Sequence, residues 1–453
     1  KLFQGSDFNL RDGLDDYDDD YTSFAPLGNT MTSDMKHMMQ VEAKRQLEKS
    51  QTSRDQTMTA MTPKQAALAS LENHSAPPSN QIEYKSGGNV LIIGGESALR
   101  LATELPEPLM ARVVLTVDSE LAEGKSIVIQ QNAREMALEG WLGDFKLRLS
   151  DEAGQTQTLI ADIVVDLTEA PLSQAEIPPP GYFTTTTKPL VNIIEEITPL
   201  EGTFAKPKFF AYNSDTCAHG SSGLPGCTNC IDACPTEAII SIGETISVQP
   251  QLCQGGGTCA TVCPTGAITY NYPAPGFLID QTRRMLKTYR EAGGENAILL
   301  LHANDTEVVT DALADNILPF PLEELASVGA EFWAVTLSFG ASQVLLLDDE
   351  NTPVLSRKHL RHQLSILNTQ LAGLGYPDDA VRLIPPLTDS SNYHEAFEIG
   401  GSAMPYFPPA TQSGMNDKRQ QWLLAMDHFY KYAPEPQDSI PLPAGAPFGT
   451  LNV

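Results

Sequence analysis

The stretch TCAHGSSGLPGCTNCIDACPTEAI, residues 216–239, is followed by a related stretch, LCQGGGTCATVCPTGAITY, residues 252–270. The pattern C-x3-C-P-T-x-A-I begins at Cys230 in the first stretch and recurs at Cys259 in the second, 29 residues later. These two stretches contain all seven cysteines of the 453-residue chain. Disulfide frameworks spread their cysteines through small secreted domains, so this clustering within a long chain indicates metal ligation.

The spacing is close to C-x2-C-x2-C-x3-C-P, the run with which bacterial two-cluster ferredoxins hold their [4Fe–4S] clusters. In that run the first three cysteines bind one cluster, and the fourth, beside the proline, binds the other cluster. Exchange of the fourth ligand between the two runs predicts two ligand sets. Cluster one takes Cys217, Cys227, Cys230 and Cys263, and cluster two takes Cys253, Cys259 and Cys234.

Each run departs from the pattern at one position. The leading cysteine of the first run would stand at Leu224, but Cys217 stands upstream, before a loop whose glycines and proline let the chain fold back. The middle cysteine of the second run would stand at Gly256, which leaves cluster two with three thiolates. The sequence therefore predicts one [4Fe–4S] cluster and one [3Fe–4S] cluster, or in place of the latter a [4Fe–4S] cluster incompletely ligated by Cys.

A structural zinc site is the alternative for these cysteines, because zinc also takes four nitrogen or sulfur ligands. Seven cysteines do not divide into two zinc tetrahedra, but His219 would complete the count. The repeated Cys-Pro pairs favour iron–sulfur clusters over zinc. His219 would then either tune a cluster through a hydrogen bond or be a solvated loop residue, and we expect the solvated residue.

Composition limits the partners of the chain. Asp and Glu number 57 against 29 Lys and Arg, which gives a formal net charge of −28. This balance argues against binding nucleic acid or an anionic membrane surface, because both need clustered positive charge. No apolar run approaches the ~20 residues of a membrane helix, so no membrane insertion is expected. Clusters and free thiolates persist best in a reducing compartment, which predicts a cytoplasmic protein.

Hydrophobic patterning predicts an α/β protein: Rossmann-like α/β domains that flank a two-cluster ferredoxin-like (α+β) insert, after a largely irregular acidic N-terminal segment. The expected divisions are an acidic, partly disordered segment and linker at 1–80, a first α/β domain at 81–205, the ferredoxin domain at 206–274, a second α/β domain at 275–400, and a C-terminal helix and linker at 401–453. Helices outside the α/β domains are predicted at Thr32–Lys49, Lys64–Leu71 and near Asn416–Tyr432.

The first α/β domain begins like a dinucleotide-binding fold. Its predicted strands are Asn89–Ile93, Arg112–Val117, Phe145–Leu149 and Ile163–Leu167. The phosphate fingerprint GxGxxG fails, however, because Glu96 and Leu99 stand where glycines are needed. The carboxylate of Glu96 would repel a pyrophosphate at the N-terminus of the following helix, so no nucleotide cofactor is expected.

In the second α/β domain, strands alternate with helical segments, which predicts a parallel sheet with helices on both faces. The predicted strands are Ala297–His302, Ile317–Phe320, Val344–Asp348 and Val381–Ile384, and the predicted helices are Thr306–Asp315, Leu322–Ser338 and Ser356–Leu374. His302 ends a strand, where α/β sheets place ligands, but a structural histidine is the commoner case. His359 and His362 share a basic helix face, which is a docking candidate or simply a solvated face.

The segment Ala211–Tyr270 resembles the ferredoxin-type proteins encoded beside cytoplasmic molybdenum or tungsten formate dehydrogenases in proteobacteria. The resemblance extends over roughly 60–453, through MTPKQAAL, SGGNVLIIGG and PPPGYF. Relatives usually carry the cysteine missing at 256 and continue into another pair of cluster motifs. Region 297–384 is also similar to small electron-transfer subunits of hydrogenase and heterodisulfide-reductase complexes, and the first 40 residues resemble a separate, uncharacterised family from the same gene neighbourhoods.

This resemblance implies an iron–sulfur protein that relays single electrons between a redox enzyme and a carrier. Its partners would be redox proteins, formate dehydrogenase subunits among them, and the chain would be a non-catalytic electron-transfer protein or a subunit of an oxidoreductase complex. The alternative is a maturation, assembly or redox-sensing factor for a molybdenum enzyme. A flavin- or nicotinamide-dependent oxidoreductase is a third hypothesis, and the failed fingerprint weakens it.

Overall fold

The computed structural model describes residues 61–72, 76–122, 127–130, 135–150, 156–220, 226–386 and 402–447. Apart from Met61, these residues belong to one compact unit, Thr62–Val453. The acidic stretch near the N-terminus and the predicted helix Thr32–Lys49 lie outside the described residues. Within the described ranges, no helix is both long enough and apolar enough to cross a membrane.

The first α/β part is built on a five-stranded sheet in which all neighbouring strands are parallel. Its strands, in sheet order, are β4 (Val128–Gln130), β3 (Met110–Leu115), β2 (Asn89–Gly94), β8 (Ile163–Asp166) and β9 (Tyr182–Thr184). The apolar run Val90–Ile93 is fully buried, as expected of a central parallel strand. The predicted strands at 89–93, 112–117 and 163–167 are confirmed as β2, β3 and β8, with ends that agree to within two residues.

The two faces of this sheet are covered differently. Helices α2 (Glu96–Glu104) and α3 (Leu190–Ile197) pack on one face. The other face is covered by an antiparallel meander of β5 (Glu135–Glu139), β6 (Phe145–Ser150) and β7 (Thr156–Ala161). Phe145 is buried and Lys146 is exposed, the alternation of a half-buried strand. The predicted strand Phe145–Leu149 is therefore confirmed, and it belongs to the antiparallel meander.

The connection between β8 and β9 joins this first part to the rest of the unit. The N–H of Ile177 donates to the carbonyl oxygen of Pro235 at 2.9 Å. The carboxylate of Glu176 accepts the N–H groups of Val354 and Leu355, at the start of a later helix. A further antiparallel pair, β1 (Gln81–Ser86) and β10 (Gly202–Pro207), leads into the cysteine-containing region.

The cysteine module, residues 206–274, is a small α+β arrangement. Strand β11 (Phe210–Tyr212) pairs with β14 (Ile268–Tyr270), and β12 (Ile239–Ile242) pairs with β13 (Thr245–Val248), both antiparallel. Helices α4 (Asn229–Asp232) and α5 (Thr258–Val262) each lead into a Cys-Pro pair.

The sequence repeat persists in the backbone of this module. Glu237 and Gly266, 29 residues apart, both adopt left-handed conformations, with φ of 53° and 72°. A glycine takes this conformation freely, whereas a glutamate seldom does. The two halves therefore make the same turn after Cys-Pro, although only one of them has a glycine there.

The second α/β part contains a four-stranded parallel sheet, as predicted. In sheet order its strands are β16 (Ile317–Leu322), β15 (Ile298–Ala303), β17 (Gln343–Leu347) and β18 (Val381–Ile384). Leu299 and Leu346 share one buried cluster with side chains from α1 (Pro63–Glu72), α6 (Pro275–Glu291), α7 (Ala330–Ser338), α8 (Val354–Gly373) and α9 (Lys418–Lys431). The predicted helices near 64–71, 356–374 and 416–432 are confirmed as α1, α8 and α9.

Two predictions for this sheet are wrong. The segment Thr306–Asp315 contains a single 3₁₀ turn, Thr310–Ala312, in place of the predicted helix, and it covers the second sheet face with Leu313. Its β-branched residues have low helix propensity, and burial of Leu313 needs no regular helix. Within the described residues, helices therefore cover one face of the sheet only.

The predicted helix Leu322–Ser338 begins eight residues late, at Ala330. Leu322 instead completes β16, where it pairs with Ala303. The chain between them is irregular except for a 3₁₀ turn at Leu325–Ser327. Tertiary pairing in the sheet overrides the local helical pattern here.

Candidate metal centre

Four thiols from the two runs of the repeat line one small cavity. Cys217, Cys227 and Cys230 come from the first run, and Cys263 comes from the second. Ile246 and Ile268 contribute apolar walls to the same cavity. This grouping has the composition of the set predicted for cluster one, and cluster ligation by these thiols stays a prediction.

The surroundings of Cys230 disfavour an isolated thiolate. Burial raises the pKa of Cys230 to about 12, with further contributions from the neighbouring thiols Cys263, Cys227 and Cys217. A bound metal reverses this balance, because its positive charge deprotonates coordinating thiols outright. Thiols in this cavity would therefore become anionic when they bind a metal centre.

The remaining three cysteines form a second group. Burial raises the pKa of Cys259 well above its ordinary value, and the nearby Cys253 and Cys234 raise it further. Burial also raises the pKa of Cys253, against a backbone hydrogen bond from Gly255 that lowers it. Cys230 of the first group influences Cys259 as well, so the two groups are close neighbours.

Hydrogen-bond donors point at the sulfur atoms of both groups. Burial alone would raise the pKa of Cys263, but hydrogen bonds from Ile268 and Thr265, together with the charge of Lys418, make the net shift downward. The Cys263 sulfur lies 3.7 Å from the Thr265 hydroxyl, and the Cys234 sulfur lies 3.3 Å from the Thr236 hydroxyl, at the equivalent position of the repeat. Such hydrogen bonds stabilise anionic sulfur and tune iron–sulfur potentials. The donor set fits clusters bound by thiolates.

Two lysines, one in β10 and one in α9, hold the two ends of the second run. Lys206 of β10 donates to the carbonyl oxygens of Gln251 at 2.8 Å and Cys253 at 2.6 Å. Lys418 of α9 donates to the carbonyl oxygens of Ala260 at 2.8 Å and Thr261 at 2.5 Å. Burial lowers the pKa of Lys206 to about 8, against the attraction of Cys253. Sequence patterning did not predict either lysine, because the signal is tertiary proximity.

Residues 246–269 match the family described as the 4Fe-4S binding domain. This chain carries a ferredoxin-type iron–sulfur site. The match includes Cys253, Cys259 and Cys263, and it indicates a role in iron–sulfur electron transfer. The first run of the repeat lies outside the matched residues. No curated protein matches the chain.

His219 lies inside the iron–sulfur region as a buried structural residue. Its side chain is 2% exposed, with Nδ1 2.7 Å from the carbonyl oxygen of Cys227 and Nε2 2.7 Å from the hydroxyl of Ser241. The prediction of a solvated loop residue is wrong, because the hairpin of β12 and β13 covers the ring. His219 does not fit the zinc alternative either, since both ring nitrogens already have partners. Among the described residues, no group of three or more His, Cys, Asp or Glu forms a site for one metal ion.

The position of the missing cysteine is sterically open. A Cβ atom added at Gly256 would meet nothing closer than Cγ of Pro235 at 4.0 Å, and the backbone there is not left-handed. Gly256 lines a cavity together with Asp305, Glu324 and Asp349. Burial, with these neighbouring carboxylates, raises the pKa of Glu324 to about 7.

Gln254 stands next to that open position, and the nitrogen of its side-chain amide already has a hydrogen-bond partner. Its Nε2 donates to the carbonyl oxygen of Pro178 at 2.7 Å. This bond ties the second run to the β8–β9 connection of the first α/β part.

The other sequence candidates have local roles. Glu96 begins α2, as predicted, and accepts a hydrogen bond from the hydroxyl of Ser119 at 2.9 Å. His302 lies near the end of β15, where burial lowers its pKa and its Nδ1 is 3.0 Å from the carbonyl oxygen of Ala303. His359 and His362 of α8 line a large cavity beside the cysteine module.

Proposed function

We propose that this protein relays single electrons through two iron–sulfur clusters, between a redox enzyme and an electron carrier. The observation that carries the proposal is the mixing of the two runs: Cys263 of the second run lines one cavity with three cysteines of the first. Exchange of the last ligand is the arrangement of two-cluster ferredoxins. Bound clusters would supply reversible one-electron chemistry, which the side chains of this module lack on their own.

Cluster one is proposed to be [4Fe–4S], held by Cys217, Cys227, Cys230 and Cys263. Cys230 and Cys263 are each 8% exposed, so these ligands are shielded from solvent and from oxidants. The hydrogen bonds from Thr265 and Ile268 stabilise the Cys263 thiolate in particular.

Cluster two is proposed to be held by Cys253, Cys259 and Cys234. Three thiolates suit [3Fe–4S], or a [4Fe–4S] cluster whose fourth iron takes water, hydroxide or a non-Cys ligand. The open space at Gly256 supports this proposal, because no side chain of the run fills the fourth position.

Formate dehydrogenase subunits are the proposed protein partners, on the strength of the family resemblance, and the cytoplasm is the proposed compartment. The net charge of −28 suits docking onto basic surfaces, with association that weakens as salt rises. The alternative role in maturation of a molybdenum enzyme predicts binding to the apo-enzyme without electron transfer.

The deciding experiment is electron paramagnetic resonance on anaerobically purified protein, oxidised and then reduced, with iron and sulfide counted on the same sample. We expect an isotropic three-iron signal when oxidised and a cubane signal when reduced, with about seven irons per chain. Absence of cluster signals together with bound zinc would overturn the proposal.

A second experiment separates the two functions. Formate dehydrogenase and formate are mixed anaerobically with the oxidised protein, and cluster reduction is followed by visible absorbance. Rapid reduction, followed by electron transfer to a second carrier, supports the relay. Stable binding to the apo-enzyme without reduction supports the maturation role instead.

A further inference from the structure

A cavity of about 330 Å³ lies beside the thiols of cluster one. Helices α7, α8 and α9 form most of its walls, and the cysteine module, with Gly445 and Pro447 of the C-terminal segment, forms the rest. Asn229, Cys263 and Pro264 line both this cavity and the small cavity of the cluster-one thiols. A molecule bound in the large cavity is therefore one layer of residues away from the proposed cluster.

The walls of the cavity are largely apolar. Val262, Ile366, Trp422 and Leu423 line it, and Trp422 is only 8% exposed. The volume lies within the range of small-molecule sites, ~300 to 1,000 Å³. An apolar cleft beside an indole ring favours a flat aromatic molecule, because stacking adds to the area that burial removes from water.

Four charged side chains line the cavity, the carboxylates of Asp232 and Glu331 and the cations of Lys418 and Arg419. Lys418 is committed to two backbone carbonyls and lies 3.7 Å from Glu331. Asp232 accepts a hydrogen bond from the hydroxyl of Thr228 at 2.6 Å, and its negative charge acts on His359. Arg419 is exposed and forms no ion pair with any described residue.

His359 and His362 lie one helical turn apart on the same face of α8 and also line the cavity. Both are polar donors or acceptors that can be oriented by a bound anion. Together with Arg419 they place one positive charge, unpaired among the described residues, and two hydrogen-bonding rings around an apolar interior. This is the pattern that recognises an aromatic molecule with an anionic substituent.

We propose that this cavity binds a planar aromatic electron carrier that bears a negatively charged group, a phosphate or a sulfonate, next to cluster one. The inference rests on the proposed electron-transfer function. Each electron that the ring gains is one that cluster one loses, and the electrons are supplied by the redox enzyme that reduces the protein. The cavity is then the point at which electrons leave for a small molecule.

The test is anaerobic isothermal titration calorimetry on the full-length protein with its clusters. The probes are anthraquinone-2-sulfonate and flavin mononucleotide, which carry a sulfonate and a phosphate on flat rings. We expect one site with a Kd of about 100 µM or lower for one of them, and the tighter probe identifies the ring class. The neutral 2-(hydroxymethyl)anthraquinone should bind at least fivefold more weakly than the sulfonate.

Two pairs of variants locate the binding site. Leu423→Trp fills the cavity from its exposed side, and Leu424→Trp makes the same change at a neighbouring residue that does not line it. Arg419→Gln removes the positive charge, and Arg361→Gln removes one from an exposed position of α8 outside the cavity. We expect at least tenfold weaker binding for Leu423→Trp, about fivefold for Arg419→Gln, and changes under twofold for both controls.

A second readout is the resonance signal of reduced cluster one. Binding at the cavity should change its line shape in the native protein and leave it unchanged in Leu423→Trp. Equal affinities across all four variants, or no binding at 1 mM probe, would overturn this inference. Failure of the proposed function is seen separately, as missing iron and missing cluster signals before any probe is added.

Discussion

The two halves of the cysteine repeat make the same turn after Cys-Pro and differ in the positions of their cysteines. Glu237 and Gly266 make equivalent left-handed turns, and Thr236 and Thr265 approach the preceding sulfur in the same way. In the first half, the displaced Cys217 reaches the cavity of the other thiols. In the second half, Gly256 supplies no ligand and leaves open space.

This difference shows that two halves with the same backbone turn need not bring the same number of cysteines to the site. An upstream cysteine can reach the site when the chain returns to it: Cys217 lines the cavity, and the N–H of Gly226 donates to the carbonyl oxygen of His219 at 2.7 Å. No comparable loop serves the second half, where the chain before Cys253 is held by Lys206 instead. We therefore expect the two clusters to differ in nuclearity and in potential.

The largest expected effects come from replacing the last cysteine of each run. Cys263 belongs to the second run but is assigned to cluster one. We therefore expect Cys263→Ser to remove cluster one and about four irons. Cys234→Ser lies in the first run, but we expect it to remove cluster two and about three irons. Iron analysis and resonance spectra on both variants test this. Loss of the three-iron signal in Cys263→Ser would contradict the crossed assignment.

Gly256→Cys should make the two halves alike. The added side chain has room, so we expect iron to rise from about seven to about eight and the isotropic three-iron signal to disappear. Gly255→Cys is the matched control, because a Cβ there would lie 2.8 Å from the ring of Phe209 and the φ is 83°. The same iron content in Gly256→Cys as in the native protein would argue that cluster two is already a cubane.

His219→Leu is expected to affect the first half alone. It leaves the carbonyl of Cys227 and the hydroxyl of Ser241 without their partner in a buried site, at a cost of about 2 kcal/mol. Anaerobic urea unfolding of the cluster-loaded protein measures this loss. His428→Leu, whose ring bonds to Pro408 at an exposed site, should cost under about 1 kcal/mol. A weakened cluster-two signal in His219→Leu would count against separate halves.

The smallest expected effects are on potential. Lys206→Met removes a positive charge beside Cys253, so the potential of cluster two should fall by on the order of tens of millivolts. Lys418→Met should lower the potential of cluster one in the same way, because Lys418 acts on Cys263. Redox titration followed by resonance measures both. Lys208→Met, on the neighbouring Phe210 ring, is the control and should move neither.

Local patterns predicted the regular elements well where a segment is buried on both sides. Residues 90–93 and 344–347 are continuous apolar runs, and burial on both faces makes such runs strands of parallel sheets. The segment 306–315 has a helical spacing of apolar residues but ends as an irregular cover with one 3₁₀ turn. Its conformation depends on the sheet face that it covers, and that face is formed by residues outside the segment.

The site shows the same division. Cysteine spacing by itself predicted the cluster type, the two ligand sets and the missing cysteine at Gly256, because cluster binding depends on which residues are cysteines and on the intervals between them. Tertiary structure alone decided that His219 is buried against Ser241, that Lys206 and Lys418 reach the second run, and that a cavity lies behind Cys263. These features join residues far apart in the chain, and only the packing of the α/β parts around the cysteine module brings them together.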